Sequence, residues 1–355
     1  MIEFLDNTPL VLTVFFFICF IFSVLINSLL LKFSQTLGVR GKQVNQVRWN
    51  PNIKPSLGGI SFFVVFLFSY IFLNLLETLD TGYRIRLTGL LAACTMAFLM
   101  GLADDAFNTQ PLLKFITQIT CALVLLFTGT YIKIFDNEVF NYVITIIWMV
   151  GIMNSVNMLD NMDGITTIIS VSICTFVIIL NIALNQTLHP FSILAIGVVS
   201  SLLGFLIYNF HPSKMFMGDT GSQFLGAFLG AISIHFCWNV YPNNLIQADD
   251  YFYHFVIVGL VFLLPLVDTT TVVINRALHG ASPFVGGKDH TTHHLFFRGV
   301  TEKRIAILYL FLSIIGIIIA YNLVLTYTAT LFYTGIAFVV IVFAGLYLNT
   351  IIKRK

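Results

Sequence analysis

The sequence predicts an all-α polytopic integral membrane protein, and three observations lead there. Of its 355 residues, 58% are hydrophobic. Only 10% are charged, against roughly a quarter in an ordinary soluble domain. The apolar residues form continuous runs of the ~20 residues that a helix needs to cross a bilayer, where a closed barrel would show short alternating segments. A mean hydropathy of +0.93 excludes a soluble globular enzyme, a disordered chain and a disulfide scaffold.

Eleven segments qualify as spans: 9–33, 58–76, 86–103, 112–130, 140–158, 164–184, 191–208, 222–240, 252–274, 303–322 and 328–350. The first is too long for a signal-peptide core. Glu3 and Asp6 precede it with no basic residue, so it reads as a retained anchor. The third closes on Gly101-Leu102-Ala103-Asp104-Asp105, and Lys114 stands at the start of the fourth. Between the fifth and sixth lies Asn154-Ser155-Val156-Asn157-Met158-Leu159-Asp160-Asn161-Met162-Asp163-Gly164. Asn185-Gln186-Thr187 is a bland connector to the seventh span, as is Asn243 through Asp250 before the ninth. Met217-Gly218-Asp219-Thr220-Gly221-Ser222 opens the eighth. Asp268 sits alone inside the ninth, read as one straight crossing. After it comes Gly286-Gly287-Lys288-Asp289-His290-Thr291-Thr292-His293-His294, with Arg298 close behind. The whole chain, 1–355, reads as a single transmembrane domain. Cys19, Cys94, Cys121, Cys174 and Cys237 lie in apolar runs without paired spacing, as reduced core thiols.

Basic residues collect on the cytoplasmic side of membrane proteins. Lys32, Arg40, Lys42, Arg48 and Lys54 follow the first span; Arg276, Lys288, Arg298, Lys303 and Arg304 follow the ninth; Lys353, Arg354 and Lys355 end the chain. An N-out, C-in topology adds Lys114 and Lys214 to that side and leaves only Arg84, Arg86 and Lys133 opposite. The loops rich in aspartate, glycine and histidine then share the cytoplasmic face, where chemistry is expected.

Each constellation has a bland reading beside a chemical one. Two adjacent acids near hydrocarbon are costly, about 2.5–3.5 kcal/mol for one at the bilayer centre, and they repel unless a cation relieves them. They are otherwise solvated loop acids. Asn154, Asn157 and Asp160 share a helical face at spacing three, although Asn and Asp also cap helices. Small residues before the eighth span let backbone N–H groups approach an anion, and an Asp there caps the helix or binds a metal. His290, His293 and His294, at i, i+3 and i+4, suit zinc on a helix or a cluster facing phosphate oxygens. Lys288 and Arg298 favour the anion. Together, acids suited to Mg²⁺ and basic groups suited to phosphate point to phosphoryl transfer. An ion-coupled transporter using Asp104, Asp160 and Asp268 would instead place its ionisable groups near the midplane on broken helices. A zinc protein centred on the histidines is the third option.

The motifs, in this order, resemble those of the polyprenyl-phosphate N-acetylhexosamine-1-phosphate transferases of glycosyltransferase family 4, most like the undecaprenyl-phosphate GlcNAc-1-phosphate transferase branch. The resemblance runs from about residue 50 to 305: Pro55-Ser56-Leu57-Gly58-Gly59, Asp104-Asp105, Asn154 to Gly164, Asn209 through Gly226, Pro265 to Asp268, and the histidine loop. It implies transfer of a HexNAc-1-phosphate group from a UDP-sugar, UDP-GlcNAc first, to a polyprenyl phosphate such as undecaprenyl phosphate. UMP leaves, and the lipid product feeds cell-envelope polysaccharide synthesis. The alternative is the same chemistry on UDP-MurNAc-pentapeptide. By motif, Asp219 with Asn157 and Asp105 implies the Mg²⁺ site, Mn²⁺ being the substitute ion. Asp104 would orient or deprotonate the lipid phosphate, Lys114 would contact a phosphate, and Asp160 joins them as a catalytic residue. Phe216 would stack on uracil beside Asp163 and Asn209, and His290, His293 and His294 would bind the diphosphate or sugar end. The resemblance implies a multi-pass protein of the inner membrane, a homodimer, and no nucleic-acid partner. Two departures stand out: Asn161 where the family often has glycine, and His-Thr-Thr-His-His where it has His-x-His-His or His-His-His.

Overall fold

Helix runs through each of the eleven apolar segments. The computed structural model describes residues 8–36, 54–76, 79–184, 189–242, 251–282 and 287–351. Its helices are α1 (Thr8–Thr36), α2 (Gly58–Leu76), α3 (Thr81–Phe107), α4 (Pro111–Phe127), α5 (Glu138–Leu159), α6 (Ile165–Ala183), α7 (Pro190–Asn209), α8 (Gly218–Ser233), α9 (Tyr251–Val261), α10 (Leu263–Leu278), α11 (Thr291–Phe297), α12 (Glu302–Leu325) and α13 (Ala329–Ile351). A π-helical turn, Ile234–Trp238, prolongs α8. Eight of these helices (α1–α3, α5–α7, α12 and α13) are long and apolar enough to cross a membrane. The chain is a multi-pass membrane protein. Glu3, Asp6, Arg40, Lys42, Arg48, the connectors Asn185 to Thr187 and Asn243 to Asp250, Gly286 and the basic tail lie outside the described residues.

The ninth segment is not the straight crossing expected over 252–274. It breaks at Phe262 into α9 and α10, bent by 90°. Pro265 supplies the reason. It has no N–H to offer the Val261 carbonyl four residues back, and its ring crowds that turn.

Burial grades from the centre outward. Every residue of α8 from Thr220 to Ser233 is buried, with α2, α3 and α5 packed round it. The outer helices instead expose large apolar side chains, such as Phe17, Ile21, Leu25 and Leu29 on α1 and Ile307, Phe311, Ile314 and Ile318 on α12. Stripes of that kind need lipid, because water would make them an aggregation surface. Polar side chains tie the inner helices, as is usual where lipid removes the hydrophobic incentive to pack. The Ser23 hydroxyl donates to the Ser201 carbonyl (2.7 Å), and the Asn27 amide donates to the Ser61 hydroxyl (2.9 Å). All five cysteines are buried and unpaired, as the sequence implies.

Close approach at one end of the bundle sets up the site. A side chain at Gly101 would collide with the Asp219 backbone, so the last turns of α3 lie directly against the first turn of α8. The C-terminal ends of α3, α5 and α7 and the N-terminal ends of α4, α6 and α8 meet there.

Candidate active site

Neighbouring residues on a helix point about 100° apart, so Asp104 and Asp105 on α3 do different things. Asp104 is buried. Its Oδ1 accepts from the Thr109 N–H (2.8 Å) and hydroxyl (2.5 Å), and its Oδ2 pairs with Lys114 at 2.5 Å. Asp105 turns to α8 and acts as its N-terminal cap from outside the helix. It accepts from the Asp219 N–H (3.1 Å), the Thr220 N–H (2.9 Å) and the Thr220 hydroxyl (2.7 Å). These are donors that the helix itself leaves unpaired. Gly218, at φ +72°, is in the left-handed region, and a Cβ there would strike the Asp105 carboxylate. The sequence assigns Asp105 to metal or phosphate-water contacts; its oxygens also hold the first turn of α8 through three accepted hydrogen bonds.

Asp219 stands at the mouth of this knot. Its Oδ2 pairs with Lys114 at 2.9 Å, and its Oδ1 accepts from the Asn157 amide at 2.7 Å. Asn157 also donates to the Ser222 hydroxyl (2.8 Å). One turn back on α5, the Asn154 amide donates to the Gln118 side-chain carbonyl (2.8 Å), and Gln118 reaches Gln223 at 3.3 Å. Lys114 therefore bridges two acids from different helices. Asp160 does not continue the face of α5: the helix ends at Leu159 and Asp160 is its cap. Burial, then the charges of Asp219, Asp105 and Asp163, push its carboxyl up to about 8.

The residues expected at a nucleoside lie beside this knot. Asp163 accepts from the Ser213 N–H (2.9 Å) and hydroxyl (2.8 Å), and its carboxylate lies 3.2 Å from His211 and 3.6 Å from Lys54. Asn209 is buried and spent on structure: its carbonyl accepts from the Thr167 hydroxyl (2.7 Å), and its amide donates to the Met215 carbonyl (3.1 Å). Phe216 is clipped between Pro55 and Gly58 by backbone hydrogen bonds of 3.0 and 3.1 Å. The Lys54 ammonium sits 5.0 Å from the centre of its ring.

The histidines do not form the helical trio predicted for zinc. His290 precedes α11 in extended backbone and is committed to Asp268, 2.8 Å from its Nδ1. The His290 and His293 rings meet edge to face. Burial, then the neighbouring His290, push His293 down to about 4, so its imidazole is neutral at ordinary pH. His294 is half-buried, and burial lowers it too. Asp268, isolated in the sequence, is the anchor of this region. It also accepts from the Thr291 N–H (2.8 Å) and hydroxyl (2.5 Å). The Arg276 fork grips Asp289 at 2.6 and 2.7 Å. Burial opposes the Asp289 charge, but Arg276 more than offsets it and holds the carboxyl below its usual range. Arg298 turns away and donates to the Asn349 carbonyl at the end of α13 (2.9 Å).

Sequence reasoning missed Lys54, His211, Ser213 and Glu302. Lys54 stands directly before Pro55-Ser56-Leu57-Gly58-Gly59, one residue outside the motif as read. Glu302 pairs with His211 at 2.8 Å from the first turn of α12, and no local pattern connects the two. Asp163, His211 and Glu302 come close enough to hold a metal ion by distance. Lys54 and Ser213 already balance Asp163, so the group reads as an ion-pair cluster.

Residues 87–237 match the model of glycosyl transferase family 4. That stretch carries Asp104, Asp105, Lys114, Asn157, Asp160, Asp163, Asn209, Phe216 and Asp219 and leaves the histidine helix outside. The chain is also 30% identical over 243 residues to a phospho-N-acetylmuramoyl-pentapeptide-transferase of Streptococcus agalactiae, covering 61% of this chain and 70% of that protein. The chain belongs to glycosyl transferase family 4. Two further relatives align over more of it. A probable undecaprenyl-phosphate N-acetylglucosaminyl 1-phosphate transferase of Bacillus subtilis is 26% identical over 350 residues, 96% of this chain and 92% of the relative. A decaprenyl-phosphate N-acetylglucosaminephosphotransferase of Mycolicibacterium smegmatis is 29% identical over 309 residues, 81% and 76% of the two. Family 4 similarity thus spans both the acidic knot and, through these longer alignments, most of the remaining bundle.

Proposed function

We propose that this family 4 protein transfers HexNAc-1-phosphate from a UDP-sugar, with UDP-GlcNAc the first candidate, to a polyprenyl phosphate, with undecaprenyl phosphate the first candidate. UMP and a polyprenyl-diphospho-sugar are the products. The observation that carries the reading is the convergence at one end of the bundle of Asp104 and Asp219 on Lys114, of Asn157 on Asp219 and of Asp105 on the first turn of α8, with Asp160 near enough to feel the charges of Asp219 and Asp105. The two relatives that align over most of the chain are both named for GlcNAc phosphate transfer to a polyprenyl phosphate, which supports the choice of sugar.

The donor set fits a divalent cation. It is all oxygen, and its acids outnumber Lys114; burial, then the neighbouring carboxylates, raise Asp160 to about 8, a cost that a bound cation would relieve. Asp219, Asn157 and Asp160 would hold Mg²⁺, or Mn²⁺ in its place, and Asp105 would keep Asp219 aimed by gripping the first turn of α8. When bound, the ion would neutralise the diphosphate and the charge developing on UMP. Lys114 binds a phosphate oxygen and moves between Asp104 and Asp219 as it does so. Asp104 orients Lys114 and the lipid phosphate. Deprotonation adds little, because the second pKa of a phosphate monoester is about 6. Phe216 and Lys54 form the face for uracil, Asp163 adds polar contact there, and Asn209 shapes the loop that presents Phe216. His290, His293 and His294 meet the diphosphate or sugar. The N-out, C-in arrangement counts α4, α8 with its π-helical turn, and the bent α9–α10 as crossings beside the eight long helices. It puts the site at the cytoplasmic face of the inner membrane, where UDP-sugars are made.

The test is to incubate purified protein with undecaprenyl phosphate, Mg²⁺ and several UDP-sugars, and to weigh the lipid product. The expected mass is undecaprenyl-diphospho-GlcNAc with one UMP released per lipid. No UMP from any UDP-HexNAc would overturn the reading. The Streptococcus relative favours a second reading, the same chemistry on UDP-MurNAc-pentapeptide. The product mass separates the two.

A further inference from the structure

The two places where the chain departs from the family pattern touch each other. The Thr292 hydroxyl donates to the Asn161 side-chain carbonyl at 2.6 Å. Thr292 is fully buried, so its hydroxyl must find a partner inside the protein or be stranded. The Asn161 amide, facing the other way, donates to the Met158 carbonyl (3.0 Å) and lies 3.5 Å from Asp268. The segment is therefore tied at three successive residues: His290 and Thr291 to Asp268, Thr291 also to the Tyr309 hydroxyl (2.6 Å), and Thr292 to Asn161, while His293 packs edge to face on His290. Asn161 follows Asp160 directly and stands two residues before Asp163. A glycine at 161 would keep the turn but offer Thr292 no acceptor.

We propose that Asn161 and Thr292 form a positioning pair that fixes the histidine-bearing helix α11 in register with the acidic turn at Asp160 to Asp163. The proposal rests on the transferase reading and deepens it. Neither residue touches the reacting atoms. The pair sets the separation between the ion-holding side of the site, through Asp160, and the imidazoles of His290 and His293. Transfer between two held phosphates depends on that separation, since a misplacement of about 1 Å can cost about 10²-fold in rate. The two departures are one unit, a hydroxyl donor on α11 matched to an amide acceptor on the turn.

Thr292→Val keeps the shape and removes the donor; Thr292→Ser keeps the donor. UMP release is measured for Thr292→Val, Thr292→Ser, Asn161→Gly and the double variant Asn161→Gly/Thr292→Val. Hydrogen exchange of the α11 amides is followed in the same preparations without substrate. Thr292→Val should lower kcat by about 10-fold with KM for the UDP-sugar within about twofold, the pattern of an interaction that matters in the transition state. Its α11 amides should exchange faster. Thr292→Ser should match wild type in both readouts. The double variant should be no worse than the poorer single one, because a broken pair cannot be broken twice. Additive losses in the double variant, or equal behaviour of the Val and Ser variants in either readout, would overturn the pair. Wild-type protein that releases no UMP, yet shows faster α11 exchange only in Thr292→Val, would sink the transferase reading and leave the pair standing.

Discussion

The acidic knot and the histidine helix sit at the same end of the bundle and manage charge in opposite ways. In the knot, Asp104 and Asp219 share Lys114 as a bridging cation, and burial, then the charges of Asp219, Asp105 and Asp163, push the Asp160 carboxyl up to about 8. In the histidine region, the carboxylates are matched: Asp268 with His290 and Asp289 with Arg276. One region is built with negative charge to spare, the other is balanced internally. The contrast teaches which side of the site could take up a cation and which side supplies orientation. The knot waits for a charge, and the histidine helix holds imidazoles at fixed places without needing one.

The comparison breaks most readily at Asp219. Asp219→Asn removes one of the acids and one of the two partners of Lys114, and UMP release should fall by about 10³-fold, the scale of losing a principal electrostatic group. A variant with more than a tenth of wild-type activity would show that the knot is not the ion site. Next is Asp268→Asn on the balanced side. Asp268 accepts buried hydrogen bonds from the Thr291 N–H and hydroxyl and lies against His290, and a hydrogen bond to a charged group is worth about 1.5–3 kcal/mol, so the main effect should be a lower unfolding temperature in detergent. An unchanged melting curve would show that the histidine region is not held by this pair.

A pH experiment sharpens the contrast further. Asp160 binds its proton more tightly folded than unfolded, with its carboxyl at about 8 against an ordinary 3.8. By linkage it stabilises least when ionised, so metal-free protein should lose stability as pH rises from the usual carboxylate range through about 8. Mg²⁺ should remove that slope. Melting temperatures at pH 6 and 8.5, with EDTA and with Mg²⁺, measure it; equal slopes in both would contradict the cation assignment. Phe216→Leu should have the smallest effect, raising KM for the UDP-sugar by about fivefold, since an aromatic stacking pair is worth about 0.5–1.5 kcal/mol beyond area. Competition by UMP is a direct check, and an unchanged inhibition constant would remove Phe216 from the nucleoside.

Much of the fold was legible because lipid demands a simple signal: long apolar runs become helices whatever their neighbours do. The break at Phe262 was less legible, since residues 255–264 around it are apolar without interruption and Pro265 alone marks the turn. In the knot, Asp104, Asp105, Lys114, Asn157 and Asp219 were recognisable as residues, but their division of labour was not. That Asp105 caps α8 while Asp104 holds Lys114 depends on which way adjacent side chains point from α3. The partners of Asp163 and Asp268 were invisible for a plainer reason. His211 and Ser213 come from the loop after α7, and His290 and Thr291 from the start of α11, and nothing local in the sequence links them to Asp163 or Asp268.

The lysine bridge between Asp104 and Asp219 bears on how such a protein is made. A nascent chain threading its helices into a bilayer meets neither nucleotide nor a guaranteed supply of metal at the moment α3, α4 and α8 first dock. Lys114 travels with α4 as a built-in counter-ion for both acids, so α3, α4 and α8 can close up without an ion from outside the chain.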